Sequence, residues 1–443
     1  MIKIFVAILF AIEGSNAFSH LQEETPVHAY HSKALRDGTE YFNQNPMNGY
    51  GIGIDVENFV HNAEHIKKVL SGTKLCGVLK GDAYGHGVQI LAPAVVDIFD
   101  MYCVADNSEI QTIRALNIRK PIVRIKLASF EEIQWAVVKN LDVEEYISSF
   151  SIAEKLSRLA SSLGIVAKIH LSLNSTQFGR DGFNVRGRYR ESSLKDIARI
   201  AKLPNISIVG ISAHLPQPWD LDFQPTEKLI SQFIDDANEI KTRVESGGHS
   251  PILSVANSAV AFRMKEEQRS QFSYSRVGSA LYGFNAFQGQ DLSELKQVVN
   301  VWAVVSSVLE RESGDSIGYG FSYTVEAPTK IAILPIGDLC ISHKLEKNGF
   351  FYDLNGNKFR ILAITMNTTV IEAVNSDGVE LLEGDRVFLL SAVLKNQYSV
   401  AQAIDAPSPI PVTIKLNACV ASRYPLRKTE SCNLQDCSLN RIE

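Results

Sequence analysis

The sequence predicts an α/β protein: a (β/α)8 TIM-like barrel followed by a C-terminal β-sheet domain. Three observations carry this prediction. Apolar strand-like runs recur near 74–79, 101–105, 121–125, 142–148, 166–173, 207–214, 252–256 and 276–282. Amphipathic helical stretches lie between most of them, among them Ile110–Leu116, Ile152–Leu163 and Leu229–Val244. Beyond residue 290 the pattern changes to short β-rich runs. Strands that alternate with helices imply a parallel sheet covered by helices, and eight such strands favour a closed barrel.

Taken in order, residues 1–17 read as a secretory signal peptide. Lys3 supplies the positive end, and Ile4–Ile12 is an apolar stretch too short to span a bilayer. Ser15-Asn16-Ala17 places small residues at the −3 and −1 positions of a cleavage site. A periplasmic or secreted location follows as the expectation. Residues 18–48 form a polar N-terminal arm, 49–290 the barrel, 291–423 the β-domain and 424–443 a polar tail. The strand Gly51–Val56 precedes the barrel and is a candidate member of the β-domain sheet. That sheet draws on Val298–Leu309, Lys330–Leu334, Phe359–Met366, Thr369–Ala373 and Arg386–Leu390, with turns at Asn355-Gly356 and Asp377-Gly378.

Composition narrows the function. The 443 residues are 45% apolar and 21% charged, ordinary for a globular chain. The net charge is −5 with no long run of one sign, which argues against nucleic acid or a polybasic membrane surface as partner. No further stretch is long and apolar enough for a membrane helix. The cysteines are Cys76, Cys103, Cys340, Cys419, Cys432 and Cys437. No C-x-x-C pair occurs, so no metal site is predicted. Cys432 and Cys437 lie close together in the tail, and Cys76 and Cys103 fall on successive predicted strands. Either pair could bond, and sequence leaves the connectivity open.

The segment Val78-Leu79-Lys80-Gly81-Asp82-Ala83-Tyr84-Gly85-His86-Gly87 is the most informative. A lysine ends a buried strand, where barrels place catalytic groups. Such a lysine can form a Schiff base with a carbonyl group; the alternative is a surface lysine at a strand end. Asn257-Ser258-Ala259 follows a strand and can open a helix, giving either an anion site or an ordinary N-cap. Arg276-Val277-Gly278 lies on the last barrel strand, where an inward arginine needs a partner, from a ligand or from an internal ion pair. His214 ends the run Val209–Ala213, and Arg180 lies in the loop after the strand ending at Leu173. Tyr319, flanked by glycines, begins the β-domain, and Met366-Asn367 ends one of its strands.

Together and in this order these pieces resemble the alanine racemase family, over about 50–415. The likeness starts at Gly53-Ile54-Asp55-Val56-Glu57-Asn58 with His61-Asn62 and continues through every segment just named. The resemblance implies a barrel that binds pyridoxal 5′-phosphate (PLP), a β-domain and a head-to-tail homodimer acting on free amino acids. It makes Lys80 the PLP lysine and one base, and Tyr319 from the partner subunit the opposed base. It assigns Tyr84, Ser258 and the Gly278 backbone to the phosphate, Arg276 to the pyridine nitrogen, and His214 and Asn257 to the cofactor's surroundings. Arg180 and the Met366 backbone N–H fall to the substrate carboxylate. An arginine at the pyridine nitrogen disfavours protonation of the ring.

Departures refine the reading. Ser172 stands where alanine racemases often carry a carbamylated lysine. The stretch Leu173–Arg180 is one residue longer, and Met366 is followed by Asn367 rather than aspartate. These features are closer to the exported broad-specificity amino-acid racemases, which also agree with the signal peptide and with a Cys76–Cys103 disulfide. A tyrosine expected near Ser408–Ile410 is absent. A strict alanine racemase is the alternative. A barrel-type PLP decarboxylase lacks support because no glycine-rich phosphate loop is evident, and a PLP carrier would lack the β-domain.

Overall fold

The computed structural model describes residues 48–176, 179–284, 294–406, 409–416 and 423–426. The expected signal peptide and arm, and the pair Cys432 and Cys437, lie outside the described residues. Strand β1 (Tyr50–Asp55) opens the described chain and passes into helix Val56–Val69, capped by Asp55, whose carboxylate accepts from the Asn58 N–H at 2.8 Å. Eight strands then alternate with helices: β2 (Lys74–Val78), β3 (Met101–Val104), β4 (Ile122–Leu127), β5 (Val143–Ile147), β6 (Ala167–Ser172), β7 (Ile206–Ser212), β8 (Ile252–Ser254) and β9 (Tyr274–Val277).

In space these strands run β8-β7-β6-β5-β4-β3-β2-β9, all parallel. The Ser273 N–H donates to the Leu253 carbonyl at 3.1 Å and the Arg276 N–H to the Ala256 carbonyl at 3.0 Å, drawing β8 to β9 and nearly closing the barrel. Strands buried on both faces read as apolar runs, which is why sequence located all eight. Outward residues such as Leu75, Tyr102 and Ile211 are fully buried under the helices. Inward, Cys76, Val78, Met101, Cys103, Val123, Tyr146 and Tyr274 form one cluster. Cys76 and Cys103 are disulfide-bonded across β2 and β3, with Cα atoms 5.8 Å apart. Gly77 is required, because a Cβ there would sit 1.9 Å from the Phe99 ring. Buried Arg124 meets Glu145 in a two-point pair, at 2.9 and 3.0 Å, which keeps both charges compensated.

The remaining strands are β10 (Val299–Val304), β11 (Ser307–Arg311), β12 (Ser316–Ile317), β13 (Tyr323–Thr324), β14 (Thr329–Leu334), β15 (Phe350–Tyr352), β16 (Lys358–Ile364), β17 (Thr369–Glu372), β18 (Arg386–Leu390) and β19 (Arg423–Leu426). All but β12 and β13, which pair with each other, join a second sheet in the order β11-β14-β17-β16-β15-β18-β10-β1-β19. The strand preceding the barrel therefore belongs to the C-terminal sheet: β1 pairs antiparallel with β10 and parallel with β19. Ile52 and Ile54 of β1, Phe59 of the first helix, and Val299 and Leu334 share one buried cluster, so sheet and barrel are packed through it.

Two expected strands differ. The run 276–282 is strand only to Val277; Ser279–Tyr282 is a 3-10 turn, begun by Gly278 at φ −122°, ψ −88°. The run Val298–Leu309 is two strands, separated at Val305 and Ser306.

Candidate active site

Lys80 follows β2 and starts an unusual turn. Gly81, Asp82, Ala83, Tyr84 and Gly85 all have positive φ, at 66°, 50°, 56°, 51° and 87°. The Gly85 N–H closes this left-handed turn on the Gly81 carbonyl at 2.9 Å. Left-handed backbone costs roughly 1–2 kcal/mol for each non-glycine residue, so neighbours must hold it. Glu109, the third residue of helix Asn107–Ala115, accepts from the Asp82 N–H at 3.0 Å and from Ala105 and Asp106 at 2.8 and 3.1 Å. The Asp82 carboxylate accepts from the Val88 N–H at 2.7 Å. A Cβ on Gly85 would lie 1.8 Å from the Thr413 carbonyl oxygen, so this position admits only glycine on two grounds.

One turn apart, Lys80 and Tyr84 reach the same cavity of about 250 Å³, and Arg180, His214, Asn257, Ser258, Arg276 and Gly278 line it too. These eight sequence candidates come from five separate stretches of chain, and the barrel fold brings them together. Gly278 leaves space that a Cβ would fill: it would stand 2.7 Å from the Tyr84 hydroxyl. The Ser258 hydroxyl accepts from the Gly278 N–H at 2.9 Å. Asn257 caps helix Ser258–Arg263 through the Val260 N–H at 3.2 Å, which is the N-cap reading.

Arg276 is buried, and among the described residues its bonds reach no carboxylate. It donates to the Ser254 hydroxyl at 2.9 Å, the Ala213 carbonyl at 2.6 Å and the Ser254 carbonyl at 3.2 Å. The internal ion pair considered from sequence is replaced by these neutral acceptors, and the arginine's charge stays in the cavity field. Burial and then Arg180 lower the Lys80 pKa; Glu109 pulls it upward, and Arg276 adds a smaller downward push. Burial and then Arg276, Arg180 and Lys80 push His214 down to about 3, so its imidazole is neutral at physiological pH. Burial raises the Tyr84 phenol, keeping it a hydrogen-bond donor.

Tyr319 and Met366 stand apart from this cavity: neither lines it, and they are 81% and 64% exposed. Gly318, beside Tyr319, packs against Ala363, since a Cβ on Gly318 would lie 2.8 Å from that side chain. Sequence reasoning did not single out Tyr146, Asp181 and Trp219, which also line the cavity. Tyr146 was within reach of strand alternation, since it faces inward two residues after Glu144. Asp181 pairs with Arg180 through Oδ2, at 3.0 and 2.9 Å.

The turn also buries His86, whose Nδ1 lies 2.9 Å from the Ala83 carbonyl. Burial is the leading cause that pushes its pKa from 6.5 down to about 4. The unfolded chain therefore binds a proton that the fold refuses. This contribution to stability is complete above pH 6.5 and is lost as pH falls toward 4, amounting to about 2 kcal/mol at pH 5. The fall in denaturation midpoint between pH 7 and pH 5 is expected to be smaller in His86→Asn than in the parent. Equal falls would contradict the linkage.

The barrel thus brings a lysine that follows one strand and an arginine on another to a single cavity. Comparison supplies the family. The alanine racemase N-terminal domain matches residues 54–286 and the alanine racemase C-terminal domain matches 298–425. The chain belongs to the alanine racemase family, a family of PLP-dependent amino-acid racemases. It is 29% identical to the broad specificity amino-acid racemase of Vibrio vulnificus, over 85% of this chain and 90% of that one. It is 27% identical to the lysine racemase of Proteus mirabilis, over 73% and 77%. The biosynthetic alanine racemase of Pseudomonas aeruginosa has the same fold, with a TM-score of 0.71 at 22% identity over 86% of this chain and 100% of that one. The alanine racemase of Bartonella henselae, with covalently bound pyridoxal phosphate, superposes at a TM-score of 0.70 and 21% identity, over 85% and 99%. Among the described residues no helix is long and apolar enough to cross a membrane.

Proposed function

We propose that this protein is a broad-specificity racemase of free amino acids that works with two bases, Lys80 and Tyr319 of the partner subunit. The observation that carries the reading is the convergence of eight foretold residues on one cavity around the Lys80 amine. The donor set fits PLP. Tyr84, Ser258 and Gly278 line the cavity side by side and would hold a phosphate, and Arg276 lines it with no bonded carboxylate among the described residues. Lys80 would hold the cofactor, Arg276 would supply a hydrogen-bond donor toward its ring nitrogen, and His214 and Asn257 would complete its surroundings. When bound, PLP supplies an electron sink for the electrons left as Cα loses its proton.

The chain's own groups do the proton transfers. The lowered Lys80 pKa makes a neutral amine available to take a proton from one face of Cα or return it. The partner's Tyr319 serves the opposite face. Arg180 and the Met366 backbone N–H hold the substrate carboxylate. Exposed Tyr319, Phe321 and Met366 are the apolar groups that a head-to-tail second copy would cover and deliver. Export as a periplasmic or secreted protein agrees with the Cys76–Cys103 disulfide, which suits an oxidising compartment.

Broad specificity is favoured over strict alanine racemisation by the cavity wall. Ile125, Trp219 and Ile410 offer apolar contact, and Asp181 offers a carboxylate to a cationic side chain. Chiral chromatography of L-Ala, L-Met, L-Lys and L-Arg incubated with purified protein and PLP tests this. D-isomers from all four are expected. Asp181 also pairs with Arg180, so Asp181→Asn is expected to change kcat/KM for all four substrates, with a loss for lysine and arginine about tenfold greater than for alanine and methionine, equivalent to about 1.4 kcal/mol. D-alanine alone would establish a strict alanine racemase. No inversion with PLP bound would remove the racemase reading.

A further inference from the structure

We propose that Arg423 is a positioning residue for Lys80, acting through Asp82 from near the end of the chain. The inference rests on the PLP-lysine reading of Lys80. Arg423 lies on β19, opposite Ile52 of β1, and reaches the lysine turn from the C-terminal sheet. Its side chain is 5% exposed, and its Nη1 is 2.6 Å from Asp82 Oδ2 and 3.0 Å from the Gly85 carbonyl oxygen.

Asp82 is the second of five residues with positive φ, and every polar group it owns is engaged. Its N–H donates to Glu109, Oδ1 accepts from Val88, its carbonyl accepts from Gly85 and Gly87 at 3.1 and 2.9 Å, and Oδ2 meets Arg423. Glu109 and Val88 bind the turn to the barrel and its helices. Arg423 is the tie that comes from the other sheet. Lys80 and Tyr84 bracket the turn, so its shape sets the spacing between the lysine amine and the hydroxyl of the phosphate cradle. Left-handed Asp82, Ala83 and Tyr84 have no intrinsic preference for that shape and relax when a restraint is removed. Arg423 bonds to Asp82 and the Gly85 carbonyl rather than to Lys80, so its effect on the lysine passes through the geometry of the turn.

The test uses the full-length holoenzyme with Arg423→Gln, Arg423→Lys, Asp82→Asn and the Arg423→Gln/Asp82→Asn double variant. PLP dissociation constant, the pH midpoint of the visible absorption of protein-bound PLP, thermal midpoint and kcat/KM are read for each. Arg423→Gln is expected to weaken PLP binding about tenfold, move the pH midpoint by about half a unit and lower kcat/KM about thirtyfold. Asp82→Asn is expected to reproduce this, since it keeps the Val88 contact and loses only the charge. Arg423→Lys retains a cation for Asp82 and is expected to recover most of the loss. The double variant is expected to be no worse than either single one, because both remove the same interaction.

If Arg423→Gln does not fold, Asp82→Asn and Arg423→Lys carry the test alone. Lower thermal midpoints with unchanged PLP affinity and pH midpoint would make Arg423 a strand anchor and overturn the proposal. Additive losses in the double variant would also overturn it. Failure of the underlying reading is seen separately, as parent protein whose PLP is not attached at Lys80.

Discussion

Lys80→Ala is expected to lower racemisation of every substrate at least about 10³-fold and to abolish PLP fixation to the chain by borohydride. Both effects come from one side chain because the lysine carries two roles. In the proposed mechanism it anchors the cofactor covalently, and its amine is the base on one face of Cα. Its environment serves both. Burial and the arginines at 180 and 276 lower its pKa, and it shares one cavity with Tyr84, Ser258 and Gly278. The substitution shortens a side chain at a cavity wall and is expected to leave the thermal midpoint of the apoprotein within a few degrees. A Lys80→Ala protein that still yielded a borohydride-fixed PLP adduct would show that another group carries the cofactor.

Tyr319→Phe is expected to be nearly as damaging by a different route. It removes one oxygen from a residue that is 81% exposed in the single chain, so folding and PLP binding should be unchanged. A positioned acid–base group contributes about 10²–10⁴-fold. Racemisation needs a proton taken from one face and returned on the other, so conversion falls in both directions. Retention of full activity by Tyr319→Phe would remove it from the mechanism.

The sequence made much of this legible, for physical reasons that differ by element. Barrel strands are buried on both faces and stand out as apolar runs, and the amphipathic stretch Ile110–Leu116 marked the helix found at Asn107–Ala115. Residues after barrel strands could be placed on one face before any coordinates, because that is where loops gather. The handedness of the Lys80 turn was hidden. Gly81 and Gly85 bracket it, but Asp82, Ala83 and Tyr84 carry no preference for positive φ, and tertiary contacts impose it. Ser279–Tyr282 misled because a buried 3-10 turn and a buried strand are equally apolar. Arg423 was invisible because its partner Asp82 is more than three hundred residues away. Asp181 and Trp219 gave no signal, since a loop residue's direction is fixed only by the fold.

The proposed mechanism requires Lys80 of one copy and Tyr319 of another to form one site. The most direct measurement is racemase activity in a mixture of Lys80→Ala and Tyr319→Phe proteins, dissociated and reassociated together. Each parent variant alone is expected to be inactive. Random pairing makes about half of the dimers mixed, and each mixed dimer holds one intact site of two, so roughly a quarter of the normal activity should return. No recovery, with mixed dimers demonstrated, would contradict the claim that the partner completes the site.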